Sequence, residues 1–385
     1  MGIGGLLPLA GCGAGVSTAG VGGGSVGGGG VSPIGPIVDG NQDPTLISPK
    51  ESNSGEPNDS FAQAVVAVFA GSRAQLEGTV SQRGDIDVYL LGALSRGDRI
   101  TVDVDTDAVA SLLDGAVSIH DGAQRLVYTN DDRMVTDLDP FVQWVVRDDS
   151  SAYYLVVSHS AFSANGRFEG AYLVDVTIES GLPVPPPQPQ TLLLDFDGGF
   201  VDSPTLGRVA IDPFDASRIA RVYSGQSELI KEAIRQSVEE NFKGFDVDVV
   251  TSDDGPVPDS STVSTIFLGG FDAATFGIAE NVDLYNLDRC DDAIIYTESF
   301  SPAQFSFVPD AASLAVAIGN VAAHEAGHLI GLNHVDDDAA LMDDRSAADA
   351  LLLDQRFMEA PMSTDIIPIG TQDAVLLLTN IVGLR

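Results

Sequence analysis

The 385-residue sequence predicts a multidomain chain in which an all-β sandwich precedes a domain of mixed strands and helices. Three observations favour this arrangement. Between residues 55 and 180, short β-prone runs alternate with turn residues, and no helical periodicity interrupts them. The segment 181–190, GLPVPPPQPQ, is rich in proline and predicts a stiff linker at a domain boundary. From 191 to 385, apolar strands alternate with apolar or amphipathic helices.

The N-terminal segment is not expected to form a domain. Within residues 1–12, the run Leu9-Ala10-Gly11-Cys12 resembles a bacterial lipobox, in which the cysteine is lipidated and becomes the mature N-terminus. No Lys or Arg precedes it, although signal peptides normally begin with basic residues, so an unstructured start with an incidental cysteine is the alternative. Residues 13–54 are rich in Gly, Ser and Pro and predict a flexible tether. A lipobox implies an exported protein, which contacts the membrane only through its lipid anchor or is secreted.

The net charge of −37 limits the partners of the chain. Such a surface repels nucleic acid and anionic membranes, so we expect neither as a partner. Most of the excess charge is aspartate, which solvates the surface and also makes Asp-rich loops candidate Ca²⁺ sites. Of the two cysteines, Cys12 is expected to be lipidated and unavailable for pairing, so no disulfide framework is expected.

Alternating runs between residues 55 and 180 predict strands with one buried face, at 100–104, 115–119, 153–158 and 171–178. Two short motifs accompany them, EPNDS at 56–60 and GDIDVY at 84–89. Together with the last two strands, these motifs resemble the bacterial pre-peptidase C-terminal (PPC) domain. The resemblance implies an accessory β-sandwich of secreted peptidases, which usually follows the catalytic part and would precede it here.

The polar and aromatic residues of this first domain leave alternatives open. Asp85, Asp87 and the loop 130–132 are candidate Ca²⁺ ligands or members of ordinary Asx turns. Trp144 and the tyrosines at 153–154 are expected in the core rather than in a binding patch. His120 and His159 are expected at the surface or in turns.

The second domain is predicted from its periodicity. A fully apolar strand at 191–196 is typical of a central strand buried on both faces. An amphipathic helix at 226–242 and a long apolar helix at 311–332, capped by Asp310, follow the 3.6-residue period. Further strands are predicted at 245–250, 262–268 and 293–296, and a final helix at 372–384.

The long helix carries the pattern H-E-x-x-H-x-x-G-x-x-H, formed by His324, Glu325, His328, Gly331 and His334. Residues four apart lie on one face of a helix, so the first two imidazoles can reach one metal ion. Gly331 can adopt positive φ, which would end the helix and turn His334 towards the same ion. Three nitrogen ligands and one open position are typical of a catalytic zinc site. The alternative is a buried helix with incidental polar residues, which is costly without a purpose.

These residues resemble the metzincin clan of zinc metallopeptidases. The resemblance implies an α+β fold with a twisted mixed sheet and an active-site helix. It also implies a methionine turn beneath the metal, for which Met342 is the candidate and Met358 and Met362 are alternatives. The spacing from His334 to Met342 looks most like the matrixin branch, although Val335 and the pair Asp343-Asp344 depart from its usual pattern.

The function implied is a zinc-dependent endopeptidase acting on protein or peptide substrates, with Glu325 as general base for a zinc-activated water. We expect a monomer. Two alternatives stay open: a surface-anchored binding or adhesion protein with a vestigial zinc site, and a zinc hydrolase acting on a non-peptide bond.

A polar loop before the predicted strand at 293–296 offers a second metal site. The loop contains Asn281, Asp283, Asn286, Asp288, Asp291 and Asp292, which could hold a structural Ca²⁺. Asp283, Asn286, Asp288 and Asp291 are the candidate ligands, and a solvated acidic loop is the alternative. Cys290 lies in the same loop, and we expect it to be a free thiol.

Overall fold

The computed structural model of the protein describes residues 56–385 apart from 107–108, 135, 164–165, 204, 256–261 and 346. The predicted lipobox with Cys12 and the predicted tether at 13–54 lie outside the described residues. Within the described part of the chain, no helix is both long enough and apolar enough to cross a membrane.

The first domain is all β, as the sequence predicts. Its strands are β1 (Val65–Val66), β2 (Arg73–Val80), β3 (Ile86–Leu94), β4 (Arg99–Asp105), β5 (Gly115–Asp121), β6 (Leu126–Asn130), β7 (Phe141–Val145), β8 (Ser150–His159) and β9 (Gly170–Glu179). One sheet has the order β1-β3-β8-β5-β6 and the other the order β2-β9-β4-β7. All pairs are antiparallel except β1 with β3.

Both sheets contribute to one buried core. Val102 and Val176 from one sheet pack in the same cluster as Ile119 and Leu155 from the other, and all four are almost fully buried. The alternation of buried and exposed residues along β2 and β4 explains how one face of each strand reaches this core. Trp144 and Tyr153 also belong to the core, with ring centroids 6.1 Å apart, which confirms the prediction for these two residues. Tyr154 is half-buried and packs against a separate small cluster with Val88 and Val156.

His120 was expected at the surface or in a turn, and that expectation is wrong. The side chain lies in β5 and is fully buried. Its Nε2 lies 2.9 Å from the Ser118 hydroxyl, and its ring meets Phe61 edge-on at 5.2 Å. A Cβ atom on Gly370 would lie 2.7 Å from its Nδ1, so the tail of the second domain covers the ring. That long-range contact is invisible in the local sequence.

Burial lowers the pKa of His120 to about 4 from the ordinary 6.5. The unfolded chain therefore binds a proton at higher pH than the folded chain, and stability falls as the pH drops from 6.5 towards 4. We expect His120→Gln to remove this loss of unfolding free energy. The difference between the two pKa values sets the loss at about 3 kcal/mol by pH 4. Urea unfolding of both proteins between pH 4 and 8 measures it. A wild-type-minus-variant difference that does not change with pH would contradict this prediction.

The second domain is built around a five-stranded sheet. The strands of this domain are β10 (Gln190–Asp195), β11 (Gly199–Ser203), β12 (Gly207–Ile211), β13 (Val247–Thr251), β14 (Val263–Leu268), β15 (Gly277–Ala279), β16 (Asp292–Ile295), β17 (Glu359–Pro361) and β18 (Thr371–Asp373). Its helices are α1 (Ala216–Ile219), α2 (Ser227–Asn241), α3 (Ala311–Leu329) and α4 (Ala374–Ile381). The sheet order is β13-β10-β14-β16-β15, with β11-β12 and β17-β18 as separate hairpins.

The sheet is mixed, because its edge strand runs against the others. Pairs among β13, β10, β14 and β16 are parallel, whereas β15 pairs antiparallel with β16. The coarse prediction, a β-domain followed by a domain of mixed strands and helices, therefore agrees with the structure. The sequence did not reveal β15, which has three residues and begins with glycine.

The long helix α3 lies in the core of this domain. It is rich in Ala and Gly, and its residues from Ala317 to Leu329 are buried throughout. The small side chains allow close packing: a Cβ atom on Gly319 would lie 2.5 Å from the Ser237 side chain on α2. At its start, Asp310 accepts a hydrogen bond from the Ser313 backbone N–H at 2.8 Å, as predicted for the N-cap.

The two domains contact each other beyond the linker. The Arg147 guanidinium donates to the backbone carbonyls of Pro185 and Asn380, at 2.9 and 2.7 Å. Tyr285 of the second domain donates its hydroxyl to the Val127 carbonyl at 2.9 Å and stacks on Tyr128. These contacts join the two domains directly, and the Arg147 bond to Pro185 also holds the linker.

Candidate metal centre and active site

The end of α3 explains how three histidines come together. Leu332 N–H bonds to the Gly327 carbonyl and Gly331 N–H to the His328 carbonyl, both at 2.8 Å, which is the Schellman pattern of a helix end. Gly331 has φ of 105°, and a Cβ atom there would lie 2.7 Å from the Asp283 carbonyl oxygen. Glycine is therefore required at this turn, and α3 ends at Leu329 instead of the predicted 332.

The turn brings His334 against the two helical histidines. The Nε2 atoms of His324 and His328 are 3.1 Å apart, those of His328 and His334 3.0 Å, and those of His334 and His324 3.2 Å. All three side chains are almost completely buried. The three Nε2 atoms thus form a nearly equilateral triangle.

The Nδ1 atoms face away from this triangle towards acceptors. His324 Nδ1 lies 2.7 Å from the Leu341 carbonyl, and His328 Nδ1 lies 2.7 Å from the Leu332 carbonyl. His334 Nδ1 lies 3.4 Å from the Asp344 carboxylate. A proton on each Nδ1 leaves the lone pair of each Nε2 directed to the common centre, the tautomer that a metal ligand needs.

Burial also keeps these imidazoles neutral. It lowers the pKa of His324 to about 4, and burial with the neighbouring imidazoles lowers the pKa of His328 and His334 well below their ordinary range. Neutral imidazole is the form that binds a metal.

The triangle fits zinc. A tetrahedral zinc with Zn–N bonds of about 2.0–2.1 Å separates its nitrogen ligands by about 3.3 Å, close to the spacing observed. Among the described residues, His324, His328 and His334 form the one histidine-containing group able to hold a metal ion. Three imidazoles without a carboxylate suit zinc better than calcium or magnesium.

Glu325 lies on the side of α3 that faces β15. Its carboxyl group accepts a hydrogen bond from the Ala279 backbone N–H, and it is 1% exposed. Burial raises its pKa to about 8. Its Oε1 atom has no hydrogen-bond partner among the described residues. A buried carboxyl with a pKa near neutrality can both accept and donate a proton, as a general acid–base requires.

Gly277 of β15 lies directly against this carboxyl. A Cβ atom on Gly277 would lie 2.6 Å from Glu325 Oε1 and 2.9 Å from Val321 Cγ1. We expect Gly277→Ala to displace Glu325 and to reduce turnover by about 10²-fold, the effect of misplacing a reacting group by about 1 Å. Zinc content should stay at the wild-type level.

Steady-state kinetics and metal analysis test this expectation. Gly115→Ala is the matched control, because the nearest atom to a Cβ there is 3.7 Å away. Wild-type turnover in Gly277→Ala would show that the carboxyl tolerates displacement.

Met342 packs against Gly327 of α3, the helix that carries His324 and His328. It is 1% exposed, and its Sδ atom is 2.6 Å from the position of a Cβ on Gly327. The preceding Leu341 carbonyl accepts the His324 hydrogen bond. Of the alternatives, Met362 forms a backbone bridge with Val335, next to His334, and its side chain packs with Leu126 and Ile367. Met358 is half-buried and packs against the domain core.

The candidate calcium residues of the second domain lie in one loop between β15 and β16. Asp283, Asn286 and Asp291 are buried, and Asp288 is half-buried. Burial raises the pKa of Asp283 to about 7 and raises that of Asp291 well above its ordinary range. The loop touches the zinc helix, since the Asp283 N–H bonds to the His328 carbonyl at 3.0 Å.

Of the candidate calcium residues of the first domain, Asp131 and Asp132 line the same pocket as Asn281 and Asp283 of this loop. The carboxylate of Asp85 lies in a cluster with those of Glu56 and Asp59. Asp87 accepts a hydrogen bond from Asn58, and Asp131 accepts one from Ser160. The structure therefore does not bring Asp85 and Asp87 together with the loop at 130–132 as one set.

Cys290 is the one cysteine among the described residues, and it is disulfide-bonded. The expectation of a free thiol is therefore wrong. Local sequence cannot show pairing, because a disulfide depends on the distance between two cysteines in the folded chain.

Comparisons with known proteins give similarities to parts of the chain. No protein-family profile and no curated protein sequence matches it. An archaemetzincin from Methanopyrus kandleri is 16% identical, with a TM-score of 0.26, over 50% of this chain and 95% of that chain. PliG, a periplasmic inhibitor of g-type lysozyme from Aeromonas hydrophila, is 22% identical, with a TM-score of 0.24, over 30% of this chain and 96% of that chain. The PPC domain of a Bacillus anthracis collagenase is 14% identical, with a TM-score of 0.21, over 30% of this chain and 96% of that chain.

The proposals below rest on the residues of the site, not on these similarities. Sequence reasoning missed two of those residues, Gly277 and Asp344. Asp344 follows the predicted methionine turn directly, so a search for a carboxylate near the third histidine could have found it. Gly277 carried no local signal.

Proposed function

We propose that the protein is a zinc-dependent endopeptidase of the metzincin type that hydrolyses peptide bonds of proteins. The observation that carries this proposal is the triangle of His324, His328 and His334 Nε2 atoms, 3.0–3.2 Å apart, next to the buried carboxyl of Glu325. Three imidazoles would hold the zinc ion, and the adjacent carboxyl would handle the proton.

A substrate would bind in extended form along β15. This strand is the edge of its sheet and pairs only with β16 in the described part of the chain. Gly277 and Ala279 lie next to Glu325, so a peptide added to this edge passes the carboxyl. Adding a strand to a sheet edge recognises the peptide backbone, which suits an enzyme that cuts proteins.

The proton steps fall to Glu325. When bound, zinc supplies Lewis acidity and an acidified water nucleophile. Glu325 Oε1, which has no partner among the described residues, accepts the proton of the attacking water. It then returns this proton to the nitrogen of the departing amine, and the raised pKa favours that return. Burial excludes bulk water from the carboxyl, so the proton stays in the site.

The remaining roles follow as part of the same proposal. Met342 would support the imidazoles from below, without chemistry of its own. The β-domain would be a PPC-like accessory module. The chain would be an exported monomer, lipidated at Cys12 or secreted. A lipidated Cys12 has no thiol left to pair with Cys290, so mass spectrometry of the mature protein decides between lipidation and pairing.

Metal content and cleavage test the proposal. The purified protein should carry about one zinc per chain and cleave an unfolded protein. Chelation should stop cleavage, and added zinc should restore it. Stoichiometric zinc without cleavage of any protein or peptide would overturn the proposal and favour a binding protein with a vestigial site. Activity confined to small amides or esters would overturn it in favour of a non-peptide hydrolase.

A further inference from the structure

The loop between β15 and β16, residues 280–291, leaves four buried oxygen atoms without a donor. We call it the acidic loop. These atoms are the Oδ1 of Asn281, Asp283 and Asn286 and the Oδ2 of Asp291. Their residues are 3%, 0%, 6% and 2% exposed, so bulk water does not reach the orphaned oxygens. A buried acceptor without a donor costs free energy, so four in one loop require an explanation.

The orientation of three of these side chains, Asp283, Asn286 and Asp291, is set by their other atoms. Asp283 Oδ2 accepts from the Asp288 N–H at 2.6 Å, and Asp291 Oδ1 accepts from the Ser264 hydroxyl at 2.8 Å. Asn286 Nδ2 donates to Gln190 Oε1 at 2.9 Å, which identifies the remaining atom of Asn286 as its oxygen. The orphaned atoms of these three residues are thus acceptors.

In the described part of the chain, the two buried carboxyl groups of the loop also lack a compensating cation. No lysine or arginine in the described part of the chain forms an ion pair with Asp283 or Asp291. Two buried carboxylates without a cation are unfavourable. A divalent cation would satisfy both the charge and the orphaned oxygens.

We propose that the acidic loop binds one Ca²⁺ ion through side-chain oxygens of Asn281, Asp283, Asn286 and Asp291. Calcium takes six to eight oxygen ligands in flexible geometry, so backbone carbonyls or water complete the set. Carboxylate and amide oxygens suit calcium, whereas the imidazole site suits zinc. The set differs from the one predicted from sequence, because Asn281 replaces Asp288, whose Oδ1 instead accepts from the Cys290 N–H.

The bound ion would hold together three parts of the molecule. The acidic loop contacts the end of the zinc helix through Asp283 and His328. It reaches the β-domain through Tyr285, whose hydroxyl bonds to the Val127 carbonyl. It meets the start of β10 through Asn286 and Gln190. Calcium would therefore stabilise the zinc site and the contact between domains together.

Metal analysis of the full chain tests the proposal without using activity. After loading with calcium and gel filtration in high salt to remove free calcium, the wild type should retain about one calcium per chain beside its zinc. Asp291→Asn should lose the calcium and keep the zinc. Asp197→Asn, an exposed carboxylate elsewhere in the domain, is the control for weak binding to the acidic surface and should keep the calcium. Wild-type protein without retained calcium would overturn the proposal, as would full calcium in Asp291→Asn.

Terbium luminescence supplies a second measurement, which does not depend on how Asp291→Asn folds. Tb³⁺ replaces Ca²⁺ at oxygen sites, and Tyr285 in the same loop should sensitise its emission. Calcium should displace the terbium and remove this emission in wild-type protein. Tyr285→Phe should weaken the terbium emission and leave calcium retention unchanged. Emission that calcium does not displace would overturn the proposal. Neither result depends on whether the zinc site is a peptidase.

Discussion

Glu325→Gln should abolish peptide hydrolysis and leave one zinc per chain. Glutamine has nearly the same shape and can still accept the Ala279 hydrogen bond, but it cannot take a proton. Loss of a general acid–base group lowers turnover by about 10²–10⁴-fold. Zinc should remain, because the three Nε2 atoms that form the triangle belong to histidines.

The folded state should tolerate this change. Burial raises the pKa of Glu325, which shows that the ionised carboxylate is unfavourable there, and the neutral amide removes that cost. The melting temperature should be no lower than that of the wild type. The measurements are kcat on a peptide substrate, zinc content and calorimetry. Glu228→Gln, the same substitution on the exposed face of α2, is the matched control. Turnover within about tenfold of the wild type would remove Glu325 from the proton transfer.

His334→Ala should remove both zinc and activity. It takes one of three nitrogen ligands from a site in which each nitrogen lies within 3.2 Å of the other two. Changes that only touch a ligand's partner cost about 10–100-fold in metal affinity, so loss of a ligand should cost more than about 100-fold. Hydrolysis should fall below detection, because the metal that activates the nucleophile is lost.

Stability provides the independent readout of this loss. Zinc at about 100 times its dissociation constant stabilises the folded wild type by about 2.7 kcal/mol, which raises the melting temperature by about 5–10 °C. His334→Ala should show no such rise. His159→Ala, which removes a half-buried imidazole outside the site, should respond to zinc as the wild type does. Wild-type zinc affinity in His334→Ala would show that the three histidines do not act as one site.

The main elements of the fold could be predicted because their signals are local. The 3.6-residue period and Asp310 predicted α3, and the apolar run after the linker predicted β10. Strand β15 could not be predicted, because three residues beginning with glycine show no alternation. Its place comes from pairing with β16 and from space that only the absence of a side chain at Gly277 leaves beside Glu325.

The candidate sites divide in the same way. The spacing of His324 and His328 on one helix face required only helical geometry, and Gly331 required only its tolerance of positive φ. The acidic loop was recognisable by composition, but composition did not distinguish Asn281 from Asp288 as a ligand. Hydrogen bonds made that distinction, because they left one oxygen of Asn281 without a donor and engaged Asp288 locally.

The sequence by itself determined the candidate zinc ligands, the candidate general base and the division into a β-domain and a domain of mixed strands and helices, because these depend on short spacings and on periodicity. Only the tertiary structure decided what surrounds them. His120 became a buried base under Gly370, Asp344 became the partner of His334, and Tyr285 reached Val127, 158 residues away in the chain. Each of these contacts depends on packing between elements, and no local pattern in the chain records which distant residue will supply the neighbour.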